Sequence, residues 1–183
     1  MYSQKESLHY IFSITKKIIE KESCSLQLVI MGDSAGGNIA TVVTMMLRDR
    51  SLRTPSQVIL ISPWTDLTLS TPEIASQNEK DPWLNEKGIL EAARMWAGDK
   101  PLAHPLISPI NGDLSNLPPI SIFTGSRELF FHDQKRFYKK LLQAGNLGGN
   151  YFEVSGMIHC YPILPIPEAE VAWEQIVSIL NNT

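Results

Sequence analysis

Hydrophobic residues along the chain alternate between two periods. Leu8, Ile11, Phe12, Thr15, Ile18 and Ile19 recur at the spacing of one helical face, and Ser3 with Glu6 forms a capping box ahead of them. This predicts a first helix ending near Lys21. Leu26 to Met31 is then a short apolar run that enters the turn Gly32-Asp33-Ser34-Ala35-Gly36, after which Ile39, Val42, Val43, Met46 and Leu47 restore the helical period. That helix ends at Arg48 and Arg50, cations that suit a helix carboxyl terminus. Val58-Ile59-Leu60-Ile61 is apolar at every position and bounded by Pro55 and Pro63, as expected of a parallel strand buried on both faces.

Trp64 to Asp81 is polar, carries Pro72, is followed by Pro82 and sustains no period, which predicts a loop crossing the carboxyl end of the sheet. Asn85 caps a helix bearing Ile89, Ala92, Ala93, Trp96 and Ala97, and Gly98 ends it. Pro101 to Pro119 is irregular, but its interleaved apolar residues argue against a disordered linker. A third strand spans Ile120 to Thr124. It is followed by a helix with Phe130, Gln134, Phe137, Leu141 and Ala144 on one face, a fourth strand from Tyr151 to Val154, and a last helix opened by Pro167. Strands alternating with helices predict an α/β fold, a mostly parallel sheet with helices on both faces, whose ligands bind beyond the carboxyl ends of the strands. The loops that matter are then Gly32–Gly37, Ser62–Asp66, Gly125–Asp133 and Ser155–Tyr161.

With 183 residues, 43% hydrophobic and 19% charged, the chain has enough apolar material for one domain over residues 1–183. The net charge of −3, with no basic stripe, argues against nucleic acid as a partner. No run approaches the roughly 18 apolar residues of a membrane span, and the beginning lacks the order of a signal peptide, so the expected location is the cytoplasm. Cys24 and Cys160 lack metal-ligand spacing and are expected to be reduced, Cys160 as a buried spectator.

The turn at Ser34 carries the chemistry. Gly-x-Ser-x-Gly between a strand and a helix is a nucleophile elbow, which exposes the serine hydroxyl at the end of a buried strand. The Ala35 amide, first of the following helix, is the natural oxyanion donor. A serine needs a base and a group that orients the base. Of His9, His104, His132 and His159, only His159 lies late, on a loop after the fourth strand. The loop after the third strand offers two carboxylates: Glu128, nearer the strand end, and Asp133 as the alternative. Asp33 adjoins Ser34 and points elsewhere. Trp64, Trp83, Trp96, Phe130 and Phe131 are candidates either for a pocket wall or for the core.

Gly32-Asp33-Ser34-Ala35-Gly36-Gly37-Asn38, Leu117-Pro118-Pro119, Gly125-x-x-Glu128 and Gly156-Met157-x-His159 together resemble α/β hydrolases of the hormone-sensitive-lipase type, over essentially the whole chain. Ser108-Pro109 fits that family's Ser-Pro-Leu element, with Ile110 in place of leucine. The resemblance implies hydrolysis of small carboxylic esters without a cofactor, with Ser34 as nucleophile, His159 as base and Glu128 as acid where the family usually has aspartate. The family's His-Gly-Gly-Gly oxyanion motif does not occur before Ser34. The expectation is therefore a partial α/β-hydrolase fold that lacks its first strands, corresponding to the carboxyl-terminal part of such an enzyme. Its activity is weakened by the absent loop, and its open edge strand is free to pair with a second copy as a homo-oligomer. The competing readings are a catalytically impaired remnant and, ranked last, a peptidase of the same fold.

Overall fold

A computed structural model describes residues 4–21 and 27–181; Ser3, Cys24 and Leu26 fall outside them. The helices and strands follow the order α1 Gln4–Lys21, β1 Val29–Asp33, α2 Ala35–Asp49, β2 Gln57–Ile61, α3 Ile74–Asn78, α4 Glu86–Ala97, β3 Ile120–Gly125, α5 Phe131–Gln143, β4 Tyr151–Val154 and α6 Pro167–Asn181. The strands form one sheet in the order β1-β2-β3-β4, every neighbouring pair parallel. Register runs from Val29 opposite Gln57, through Val58 opposite Ile120, to Ile122 opposite Tyr151. Among the described residues the outer edge of β1 is unpaired, and Met31 there is 46% exposed.

The two central strands are mostly apolar, with Ser121 and Thr124 the buried polar exceptions, because both of their faces are covered. Val58 and Leu60 of β2, with Ile120 and Ile122 of β3, pack against Ala40 and Met45 of α2 and Phe137 and Leu141 of α5. The alternate residues Ile59, Ile61 and Phe123 pack on the other face against Tyr161 and against Ala172 and Ile176 of α6. Each such fully buried side chain contributes roughly 1.5–3 kcal/mol. Helix α1 lies outside this sandwich, with Phe12 against Val43 and Leu47 of α2.

The segment from Trp64 to Asp81, expected as loop, contains the short helix α3, and beneath it lies a separate small core at the carboxyl end of the sheet. Trp64, Leu67 and Leu69 pack there with Ala93 and Ala97 of α4, Ile107, Leu129 and Phe130. Of the aromatic residues left undecided by the sequence, Trp64 and Phe130 are core, Trp96 packs at its margin, and Trp83 stands 53% exposed. No helix among the described residues is long and apolar enough to cross a membrane.

Candidate active site

Strand β1 ends at Asp33 and α2 begins at Ala35, so Ser34 alone turns the chain between them. It does so at φ 50° and ψ −116°, which an L residue adopts only where its surroundings impose it. The surroundings are backbone bonds: Ser34 N–H donates to Ile61 C=O at 2.9 Å, and Ser34 C=O accepts from Trp64 N–H at 3.0 Å. Glycine is required at position 32 because a Cβ there would overlap the Gly36 carbonyl oxygen. Among the described residues the Ser34 hydroxyl has no hydrogen-bond partner, His159 included. Among the described residues the Ala35 amide, which opens α2, has no backbone acceptor, so it presents its N–H and the positive end of the helix beside Ser34.

Glu128 and His159 do meet. His159 Nδ1 lies 2.8 Å from Glu128 Oε2, and both side chains are buried. Glu128 Oε2 also accepts from Gln134 Nε2 at 3.0 Å. Its Oε1 accepts from Ser62 Oγ at 2.8 Å, Gly125 N–H at 2.9 Å and Thr124 Oγ1 at 3.0 Å. A carboxylate so surrounded by donors remains an acceptor, which assigns the Nδ1 proton to His159 and leaves the Nε2 lone pair free. The ring is clamped edge-on by Phe130 at 5.4 Å and Trp83 at 6.0 Å between centroids.

Ser62 connects the parts. It follows Ile61, whose carbonyl holds Ser34, and besides donating to Glu128 its Oγ accepts the Cys160 N–H at 2.9 Å. One buried hydroxyl at φ 46° thus ties the carboxylate to the residue after His159. Neither Ser62 nor Gln134 was picked out as a candidate from the sequence. The only sequence signal for Ser62 is its place at the end of a buried strand, and Gln134 reads as one more position on a helical face.

Asp133, the alternative acid, faces elsewhere. On the first turn of α5 it accepts from Thr71 Oγ1, and its Oδ1 pairs with Arg136 at 3.1 Å. Arg136 also pairs with the buried Asp66. Burial above all, and then the Asp66 and Glu73 charges, push the Asp133 carboxyl up to about 6 against the opposing pull of Thr71 and Arg136. The buried Cys160 thiol is pushed up to about 12, mainly by desolvation and further by the Glu128 and Asp33 charges, which makes it a poor competing nucleophile. No group of three or more His, Cys, Asp or Glu among the described residues is placed to hold a metal ion.

Two curated relatives are each 30% identical to this chain and match 76% of it: an esterase of Acinetobacter venetianus over 141 residues, and an acetyl-hydrolase of Streptomyces hygroscopicus over 143. The chain spans about half their length, 46% of the first and 48% of the second. A crystal structure of an esterase/lipase from an uncultured bacterium superposes on 99% of the chain with a TM-score of 0.91 and 25% identity, and the match covers 61% of that protein. The family model for the α/β-hydrolase fold matches residues 6–163. With four parallel strands among the described residues, helices on both faces and an elbow serine at the end of β1, the chain belongs to the α/β-hydrolase fold family.

Proposed function

We propose that this chain hydrolyses small carboxylic esters, with Ser34 as nucleophile, His159 as general base and Glu128 as the acid that orients it. The observation that carries this reading is the buried 2.8 Å pairing of His159 with Glu128 at the end of the sheet where the elbow presents Ser34. The names of the esterase and acetyl-hydrolase relatives support the same substrate class.

In the first half-reaction Ser34 Oγ bonds to the ester carbonyl carbon while its proton passes to His159 Nε2. The carbonyl oxygen becomes an oxyanion beside the Ala35 N–H. As the oxyanion collapses, the carbon–alkoxy bond breaks and His159 returns the proton to the departing alcohol. A water then attacks the acyl-enzyme, gives one proton to His159, and the carboxylic acid leaves as that proton returns to Ser34 Oγ. Throughout, Glu128 holds the imidazole tautomer and stabilises the imidazolium. Loss of one oxyanion donor costs roughly 10²- to 10³-fold in kcat, which is the scale of the contribution expected of the Ala35 N–H.

The Ser34 hydroxyl, which bonds to no described residue, favours a second reading, a folded but catalytically impaired domain. A fluorophosphonate ester separates the two. The hydrolase reading predicts a stoichiometric adduct on Ser34, absent in Ser34→Ala, whereas a folded chain that forms no adduct is the impaired domain.

A further inference from the structure

Asp81 has no part in the chemistry just described, yet it is a buried carboxylate whose oxygens accept three backbone amides. Oδ1 accepts from Trp83 N–H at 2.8 Å and Leu84 N–H at 3.0 Å, closing a tight turn around Pro82. Oδ2 accepts from Leu129 N–H at 2.7 Å, and Leu129 directly follows Glu128. The same strand of chain is fastened nearby by Gln77 Nε2 donating to Ser126 C=O at 2.7 Å. Asp81 therefore fixes two aromatic rings against His159. One is Trp83, through its own turn; the other is Phe130, through the neighbouring Leu129.

The two rings differ in surroundings. Phe130 is fully buried and stacked on Trp64 at 5.5 Å. Trp83 is 53% exposed, so an indole is held at 6.0 Å from the histidine with much of its surface facing water. Burial holds that position only in part, and the Asp81 carboxylate anchors the backbone from which the indole projects. An apolar surface kept open beside a reacting group is a place for apolar substrate atoms. Which part of the ester lies there follows from the proton path. His159 protonates the departing alkoxy oxygen, so the alcohol leaves along the imidazole side while the acyl group stays on Ser34.

We infer that Trp83 is the wall against which the alcohol half of the ester packs, selecting esters of apolar or aromatic alcohols, and that Asp81 is the residue that positions it. This rests on the hydrolase reading above. Benzyl acetate and ethyl acetate test it, because both pass through the same acetyl-enzyme and differ only in the group that departs. Trp83→Ala is expected to lose about tenfold more kcat/KM on benzyl acetate than on ethyl acetate, and Trp83→Phe to regain most of that difference. Asp81→Ala should show the same benzyl-selective loss, with Asp81→Asn, which keeps one acceptor oxygen, in between. Equal losses on both esters in Asp81→Ala, or a wild-type ratio in Trp83→Ala, would overturn the inference. A second arm needs no turnover: benzyl alcohol should perturb the Trp83 indole N–H resonance, identified by its loss in Trp83→Phe, and Asp81→Ala should need more alcohol. A wild-type chain that binds benzyl alcohol beside Trp83 but cleaves neither ester fails as a hydrolase while keeping this site. One that cleaves both esters without any response of Trp83 keeps the hydrolase and loses the site.

Discussion

Glu128 and Asp133 are both carboxylates on the segment after β3, and elementary chemistry gives either the capacity to orient an imidazole. Their surroundings separate them. Glu128 is met by the hydroxyls of Ser62 and Thr124, the Gly125 amide and Gln134, which engage both of its oxygens. Asp133 is buried with a second carboxylate, Asp66, nearby, and its charged form is disfavoured. The ordinary value of 3.8 rises to about 6, so between these values the folded chain holds a proton that the unfolded chain has released. The Asp133 contribution to stability is therefore fully present below pH 4 and is lost as pH rises through 6. Relative to Asp133→Asn, the wild type should lose on the order of 2–3 kcal/mol between pH 4 and pH 7 in urea unfolding. A difference between the two that stays constant with pH would show that Asp133 is not so perturbed. The choice between the carboxylates is open in the sequence because the donors to Glu128 come from β3, α5 and the residue after β2, and those to Asp133 from α5 and the Trp64–Asp81 segment, parts of the chain that meet only in the fold. Ser34, by contrast, was legible at once, since its glycines and flanking periods are all local.

The elements divide in the same way. Strand β2 is readable because burial on both faces gives it an unbroken apolar run from Val58 to Ile61, β3 because Ile120, Ile122 and Phe123 end at Gly125, and α4 because Asn85 caps it and Gly98 ends it. Helix α3 is too short to show a period. It owes its place to tertiary bonds such as Gln77 to Ser126, which no local pattern reveals. The join between β3 and the histidine loop is equally hidden. At Gly125 an added Cβ would strike the Met157 carbonyl carbon and oxygen, and Arg127 N–H bonds to that same carbonyl at 2.9 Å. Gly125→Ala must push Met157 and Ile158 outward, and with them His159. The expected cost is about 1–3 kcal/mol in unfolding, from overpacking against the Met157 backbone. A displacement of about 1 Å is enough to lower kcat about 10²-fold. A variant with wild-type stability and turnover would show that this contact does not set the loop.

At the scale of the molecule, the parallel sheet brings the carboxyl ends of β1, β2 and β3 to one side, and the small core under Trp64 to Leu69 supports the same end. Residues far apart in sequence thereby share that end: Ser62, Glu128 and His159 in one hydrogen-bonded cluster, and Ser34 through its backbone bonds to Ile61 and Trp64. If Ser34, His159 and Glu128 act as one unit, their removals cannot be additive. The decisive measurement is the initial rate of p-nitrophenyl acetate hydrolysis by the wild type, Ser34→Ala, His159→Ala, Glu128→Gln and the triple variant, each shown to be folded. The expected result is that Ser34→Ala and His159→Ala fall to the rate of the triple variant, with Glu128→Gln reduced by about 10³- to 10⁴-fold or to that same floor. A His159→Ala variant that hydrolyses the ester at the wild-type rate would contradict it.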